Sequence, residues 1–443
     1  MKTLYYHASL ITGDVDRLFL PGGYLLVDGD RIAAVGVCGD EALPEADVRH
    51  DLAGRILMPG MISSHCHFYG QFVRGMPLSE PIYNWQQYLS RMWWRVDKAL
   101  DERQTYYSAL MGLVEGLKAG TTTYFDHQAS PNYITGSLDT IERAMRAVGG
   151  RGCLAYEVTD RDGAERAARG IAENERYIRA HQAEGDRFRG IFGLHASYSL
   201  SAETLERSSA VGNALNAGFH IHMAESEADV SDCYRRFDMH VVERLHEAGI
   251  LGEKTITAHN VHLKPRHFGI LRETGVTAAH NVQSNTNTAV GICPVVPLMD
   301  AGVHVALGGD GYTYDLFTEL GFASIQQHIG QNDCSVFSGK QILDMAFTNN
   351  QRLAKRIFGY EVGVLRPGAA ADFLILDYDP PTPLHAGNVL SHMTSGFSGH
   401  VDTVVCDGET VVERHRCTRV DEKEIFAGCR AEAQRLWDSL AAQ

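Results

Sequence analysis

From residue 57 to about residue 311, short apolar runs alternate with stretches in which apolar positions recur at helical spacing. The runs predict strands at 57–67, 121–127, 152–160, 190–197, 218–225, 255–260, 275–281 and 303–310. Helical patterns lie between most of them. In DERQTYYSALMGLVEGLKAG, Leu110, Leu113, Val114 and Leu117 share one helical face, and Gly120 marks the stop. DTIERAMRAVG, SAETLERSSAVGNALNAG, DMHVVERLHEAGIL and RHFGILRETG repeat the pattern. Eight strand-helix units over ~250 residues match an α/β fold of the (β/α)8 TIM-like barrel type. A doubly wound open sheet is the competing arrangement, since eight strands do not by themselves require closure.

The flanks read differently. Residues 1–57 and 364–420 hold short strand-like runs broken by Gly and Asp, and the Asp28-Gly29 step is echoed by Asp407-Gly408. These two segments predict one small β-sandwich domain built from both chain ends, flanking a barrel of residues 58–363. The tail, 421–443, reads as an amphipathic helix with Ile425, Cys429 and Leu436 on one side, a face suited to core or subunit packing.

Composition narrows the class. A chain of 443 residues with 44% hydrophobic and 21% charged residues is that of a soluble globular protein. The net charge of −15, without a basic stripe, argues against nucleic acid as a partner. No apolar run approaches the ~20 residues of a membrane helix, so no membrane association is expected. The polar, acidic start MKTLYYHASLITGDVDRLF does not read as a signal peptide, and nine cysteines without a CxxC pair fit a reducing cytoplasm.

The unusual residue is histidine, with 21 copies. His65 and His67 stand two apart at the end of the first run, so in a strand both imidazoles face one point. Such a pair suits a first-row divalent metal, zinc above all. A lone His-x-His is as readily a pair of ordinary polar residues at a strand end. The rest of the chain weighs against that. Successive strands end in Asp126 and His127, Glu157 and Asp160, His195, then His220, His222 and Glu225, then His259, His280 with Asn281, and Asp310. Core histidines placed at random would not select one end of successive strands, and that end is where a barrel builds its active site.

These residues spell a resemblance. PGMISSHCH, HIHMAE, TAHNVHL, HNVQSN, LGGDG and GVLRPGAAADFLILD resemble the amidohydrolase superfamily, in its branch of deaminases and chlorohydrolases acting on nitrogen heterocycles. WWRVDKALDERQTYYSAL, FDHQASP and YITGSLDT are similar to the SsnA-type aminohydrolases assigned to purine catabolism. The resemblance implies His65, His67, His222 and Asp310 as metal ligands, Glu225 as proton shuttle and His259 beside the reacting oxygen. It implies His195 as a substrate contact, and a dimer or larger homo-oligomer. The reaction it implies is hydrolytic deamination of a purine- or pterin-like amino heterocycle, releasing ammonia. Dechlorination or ring-amide opening at the same centre is the alternative. One metal ion is expected, zinc with iron or manganese as alternatives, because the fourth strand lacks the Lys or Glu that bridges two metals in other members.

Two features of this chain stand apart. The strand-seven motif is HNVQSN, where the family's pattern is HNPxSN. Val282 and Gln283 replace the Pro and its neighbour, and Asn285 is kept as an expected substrate contact. Along the fifth strand, Glu225 has the opposite parity to His220 and His222, so it reaches the site only if the chain leaves the strand there. The segment 69–97 is expected to cover the site, with Gln71, Trp85 and Gln86 touching substrate and Trp93 and Trp94 engaged in helix packing.

Overall fold

A computed structural model describes residues 1–39 and 42–442. Met61–Cys66, Thr121–Gln128, Arg151–Tyr156 and Phe188–Gly190 pair in parallel as a four-stranded sheet. Phe192–Ala196, Phe219–Met223, Ile256–His259, Thr277–His280 and His304–Leu307 pair in parallel as a five-stranded sheet. The expected fourth strand is thus divided. Ile191 N still donates to Leu154 O of the third strand, at 3.1 Å, whereas Phe192 N donates to Gly218 O beside the fifth, also at 3.1 Å. Isolated parallel bridges, Val158 to Leu194 and Cys66 to Asp310, join the two sheets at both margins. His195 N donating to Val158 O at 2.9 Å and Asp310 N donating to His65 O at 3.0 Å reinforce these seams.

The helices fall where the apolar spacing places them. Glu102–Lys118 opens at Asp101, whose side chain accepts from Gln104 N while the Gln104 side chain accepts from the Asp101 amide. It is followed by Gly120 at φ +93, a conformation that favours glycine. Ser137–Val148, Ala202–Ala214, Val241–Glu247 and Pro265–Thr274 occupy the other expected stretches. Two further helices, Glu227–Phe237 and Val282–Asn287, follow the fifth and seventh strands.

One expectation is corrected at the first strand. The run 57–67 is not one strand but two, divided at Gly60. Ile56–Pro59 pairs with Lys2–Ile11 and Phe373–Leu376, and Met61–Cys66 pairs with Thr121–Gln128. A Cβ at Gly60 would lie 2.2 Å from Thr122 Oγ1, so only glycine lets the chain pass here as it changes sheets.

Both chain ends do share one sheet. Its path joins Arg416–Cys417, Glu409–Glu413, Val401–Cys406, Phe373–Leu376, Ile56–Pro59, Lys2–Ile11, Phe19–Asp28 and Arg31–Val37, with Val48–Asp51 added to Lys2–Ile11. The pairing runs through as one nine-stranded sheet, and a helix, Val389–Gly396, interrupts a stretch expected to be strand. Leu10, Leu25, Phe373 and Val405 belong to its own apolar core. The two Asp-Gly turns meet: a Cβ at Gly408 would lie 2.0 Å from Gly29 O.

This sheet is tied to the parallel strands by Arg151, which is fully buried. Its guanidinium donates to both Asp372 oxygens at 3.1 and 3.2 Å, and also to Asp407 and Tyr360. The C-terminal helix, Glu422–Ala441, buries Ile425, Cys429 and Leu436 within the chain, and Trp437 Nε1 donates to Phe72 O at 2.8 Å. Among the described residues, no helix is long and apolar enough to cross a membrane.

Candidate active site

The C-terminal ends of the parallel strands bring the histidines together. His67 Nδ1–H donates to His127 O at 2.6 Å, and His222 Nδ1–H donates to His195 O at 2.9 Å. His65 Nδ1 hydrogen-bonds His220 Nε2 at 2.8 Å. With the Nδ1 atoms engaged in this way, the Nε2 atoms of His65, His67 and His222 are turned inward. His67 Nε2 and His222 Nε2 are 3.1 Å apart, and His67 Nε2 lies 3.2 Å from Asp310 Oδ1. His65 Nε2 is 3.7 Å from the same oxygen and has no hydrogen-bond partner among the described residues.

Two imidazole lone pairs facing each other at that distance repel unless a cation lies between them. A tetrahedral centre with ~2.0–2.1 Å bonds separates its ligand atoms by about 3.3 Å, close to the observed spacing. Burial pushes the pKa of His65, His67 and His222 down, which keeps the imidazoles neutral, as ligands must be. Burial also works to raise the Asp310 carboxyl, but His67, His259, Ser284 and the Gly311 amide outweigh it and hold it below the usual carboxylate value. The donor set therefore fits one divalent metal. His127 also lies within reach of this group. Its ring is stacked on His220, with centroids 4.4 Å apart, and it serves His67 through its backbone carbonyl.

The remaining polar groups follow from left-handed backbone at the strand ends. Ala224, His259, Asn260 and Asp310 all have φ between 49° and 74°, a strained region for these residues. At Ala224 the bend resolves the parity problem: the strand ends at Met223, and the next turn of chain swings Glu225 back toward the cluster. Asp229 Oδ2 accepts from Ala224 N at 3.1 Å and holds that bend. Glu225 Oε1 accepts from Trp85 Nε1 at 2.8 Å, and Glu225 Oε2 lies 3.9 Å from His259 Nε2. Burial raises the Glu225 pKa. His259 Nδ1–H donates to Asn285 Oδ1 at 2.8 Å, which directs Nε2 to within 3.8 Å of Asp310 Oδ2.

A narrow cavity, with about 50 Å³ open to water, lies over this cluster. His67, His195, His222, Glu225, His259 and Asp310 line it. Trp85 reaches the site through Glu225. The other expected contacts are placed differently. Gln71 does not line the cavity, because its amide nitrogen donates to His67 O at 3.1 Å and Tyr314 OH at 2.7 Å. Gln86 is exposed. Asn285 sits behind His259, and its contribution is to orient that ring. Conversely, Trp93 and Trp94, read from sequence as helix packing, line the cavity. The helix widens into a π turn over Leu89–Trp93, which departs from the 3.6-residue spacing that sequence reading assumes. Tyr69, Tyr88, Asp97, Glu157, Ser284 and Tyr312 also line the cavity, with Leu89 and Thr288. Of these, Glu157 was visible as a strand-end carboxylate, whereas the tyrosines carried no signal in the sequence.

Parallel strands ending in three convergent imidazoles and a carboxylate define a candidate metal-dependent hydrolase centre. The chain belongs to the amidohydrolase family, whose model matches residues 56–411. It is 31% identical to a 5′-deoxyadenosine deaminase of Methanothermobacter thermautotrophicus over 435 residues, 96% of this chain and 98% of that one. It is 30% identical to a 5-methylthioadenosine/S-adenosylhomocysteine deaminase of Desulforudis audaxviator over 429 residues, 94% of this chain and 96% of the other. Among solved structures, the fold matches an adenosine deaminase of Xanthomonas campestris with bound zinc at a TM-score of 0.88, with 22% identity and 98% of each chain covered. It also matches the atrazine chlorohydrolase TrzN of Arthrobacter aurescens at 0.83, with 22% identity, covering 97% of this chain and 100% of that one.

Proposed function

We propose that this protein is a metal-dependent hydrolytic deaminase of an amino-substituted nitrogen heterocycle of the purine type. The observation that carries the reading is the convergence of Glu225 and Asp310 on His259, whose Nε2 lies 3.9 Å from Glu225 Oε2 and 3.8 Å from Asp310 Oδ2, beside three inward-facing imidazoles. The names of the curated relatives, which are deaminases of adenosine derivatives, support a purine-type substrate.

His65, His67, His222 and Asp310 would hold the ion, for which zinc is the reading we favour. A divalent ion in that position supplies a water whose pKa falls from ~15.7 toward neutrality. The chain supplies the rest. Asp310 Oδ2, turned toward His259, takes a proton from the attacking water. Glu225, buried beside His259, protonates the ring nitrogen next to the reacting carbon. His259 Nε2, fixed by Asn285, stands between the two carboxylates and positions the oxygen. Return of a proton to the amine releases ammonia.

The same reading extends to the architecture. The two parallel sheets, joined at both margins, are taken as a (β/α)8 barrel spanning 58–363, with the nine-stranded sheet of 1–57 and 364–420 curled into a sandwich around its own core and the helix of 421–443 packed alongside. We place the enzyme in the cytoplasm, in purine catabolism, as a homo-oligomer.

The test is ammonia release by zinc-replete protein from adenosine-type nucleosides, aminopurines and pterins. Ammonia from at least one is expected, with Glu225→Gln retaining metal and losing on the order of 100-fold or more in turnover. Full activity in Glu225→Gln, or no ammonia from any compound, would remove the reading.

A further inference from the structure

The chain carries 55 acidic and 40 basic residues, yet one hollow outside the histidine cluster is lined mainly by cations. It holds about 680 Å³ open to water, against about 50 Å³ over the histidine cluster. Arg352, Lys355 and Arg356, on the helix Asn349–Phe358, line it together with Arg366, and among the described residues Glu361 is the one carboxylate in the lining. Arg356 Nη1 donates to Glu253 O at 2.9 Å and to Gly275 O at 2.8 Å, carbonyls that stand just ahead of the strands Ile256–His259 and Thr277–His280. Arg352 Nη1 packs against His304, the first residue of the strand His304–Leu307. The hollow therefore lies at the N-terminal ends of three parallel strands whose other ends lead to His259, His280 and Asp310.

Two of these cations stand without a countercharge. Arg366 is paired with Asp14 at 2.8 Å and with Glu361 at 3.1 Å, and Lys355 with Glu361 at 3.2 Å. Arg352 and Arg356 form no ion pair among the described residues, and each engages the protein through Nη1 only. His304 offers Arg352 no negative charge. Burial pushes its pKa down to about 4, and the two arginines add to the effect, so the ring is neutral. Arg352 and Arg356 are four residues apart on one helix, where like charges repel. Thr348 Oγ1, also in the lining, is buried with no hydrogen-bond partner among the described residues. Guanidinium groups with donors to spare match phosphoryl oxygens, and two of them one helical turn apart suit two linked phosphoryl groups. We propose that this hollow is a second ligand site, separate from the deamination centre, which binds a diphosphate group, either free pyrophosphate or the tail of a nucleotide. The anion supplies the countercharge that Arg352 and Arg356 lack and accepts from their unused Nε and Nη2 donors, with Lys355 beside them. It ties the helix to the strands at the end away from the cavity, the end of a parallel barrel that governs stability rather than chemistry.

The experiment is isothermal titration and thermal unfolding of the zinc-replete full chain. One arm uses inorganic pyrophosphate. The other uses uridine 5′-diphosphate, whose base has no exocyclic amine to lose. Chloride at matched ionic strength is the control, and zinc per chain is measured before and after, so that metal taken by the anion is not counted as binding. One diphosphate per chain is expected, with a submillimolar Kd and an unfolding midpoint raised by about 2 °C or more at saturation. Arg352→Gln and Arg356→Gln, made separately, are each expected to weaken binding about 10-fold or more, and Lys355→Gln less. Lys340→Gln, which alters an exposed lysine on another helix, should bind as the wild type does. Equal affinity for the two probes assigns the site to the diphosphate alone, and tighter uridine diphosphate assigns further contacts to the nucleoside. Heat and midpoint no different from those in chloride, or one affinity shared by the wild type and all four variants, would overturn the site.

Discussion

Trp85 Nε1 donates to Glu225 Oε1 at 2.8 Å across 140 residues of sequence, joining the segment that covers the cavity to the carboxylate proposed to carry the proton. A donor of this kind favours the charged carboxylate and so opposes the effect of burial, which raises the Glu225 pKa. Trp85→Phe keeps the aromatic bulk and deletes the donor. The Glu225 pKa is then expected to rise further, and the limb of the kcat/KM profile governed by Glu225 should move to higher pH. A profile that stays in place, or moves to lower pH, would separate Trp85 from the proton chemistry.

The metal assignment separates four neighbouring histidines. His67→Ala, His222→Ala and Asp310→Asn each remove an inward-facing donor and are expected to lower the metal bound per chain after gel filtration. His127→Ala is expected to keep its metal, because what His127 offers to His67 is its backbone carbonyl, which the substitution leaves in place. A chelator should abolish ammonia release, and restored zinc should recover it. Loss of metal from His127→Ala would place that imidazole among the ligands.

The contrast between these residues shows what a sequence can carry. Strand-end histidines were legible because a strand fixes side-chain direction by parity, so His65 and His67, or His220 and His222, announce a shared face without any knowledge of the rest of the chain. Glu225 broke that parity, and the left-handed residue at Ala224 that explains it has no signature in an alanine. Gln71 and Asn285 were misplaced for a different reason. Each is bound to a partner from another strand unit, Tyr314 and His259, and nothing local predicts those pairings. Trp93 and Trp94 were read on a regular helix, and a π turn reset their facing. The strand expected at 121–127 emerged at nearly its observed bounds, Thr121–Gln128, whereas that expected at 152–160 stops at Tyr156 and the division at Gly60 depended on how closely Thr122 approaches.

Arg151 opens the third strand, at the end away from the cavity, and ties it to the nine-stranded sheet. Both it and Asp372 are completely buried. Arg151→Met removes the cation and leaves a buried carboxylate unpaired, a change that costs about 3–5 kcal/mol in comparable sites. The midpoint of thermal unfolding should fall clearly, while kcat at 25 °C stays near its original value. Adding Asp372→Asn to Arg151→Met should recover part of the loss, because the residual cost is that of an unpaired charge. If the double variant is no more stable than the single one, packing rather than charge is what Arg151 contributes.

Gln283, one of the two departures from the family's strand-seven pattern, is bound to a buried acid. Glu319, fully buried on the helix Leu316–Gln331, accepts from Gln283 N at 3.1 Å and from Gln283 Nε2 at 2.7 Å. The next two residues are Ser284, which with Asp310 lines the cavity and helps hold that carboxyl below its usual value, and Asn285, which orients His259. Glu319 therefore braces the two groups proposed to act on the water, Asp310 and His259, through one short helix without touching either. Glu319→Ala is expected to lower kcat by about 10-fold with a smaller change in KM, and Glu319→Gln, which can still accept from the Gln283 amide, should restore most of it. Burial pushes the Glu319 pKa up to about 8, so the folded chain holds a proton that the unfolded chain releases near 4.5. That difference contributes stability which is fully present below pH 4.5 and lost as pH rises toward 8. The wild-type chain should thus become easier to unfold in urea across this window, and Glu319→Gln, with nothing to titrate, should show a flatter dependence. Parallel slopes in the two proteins would mean that the buried acid is not protonated in the fold.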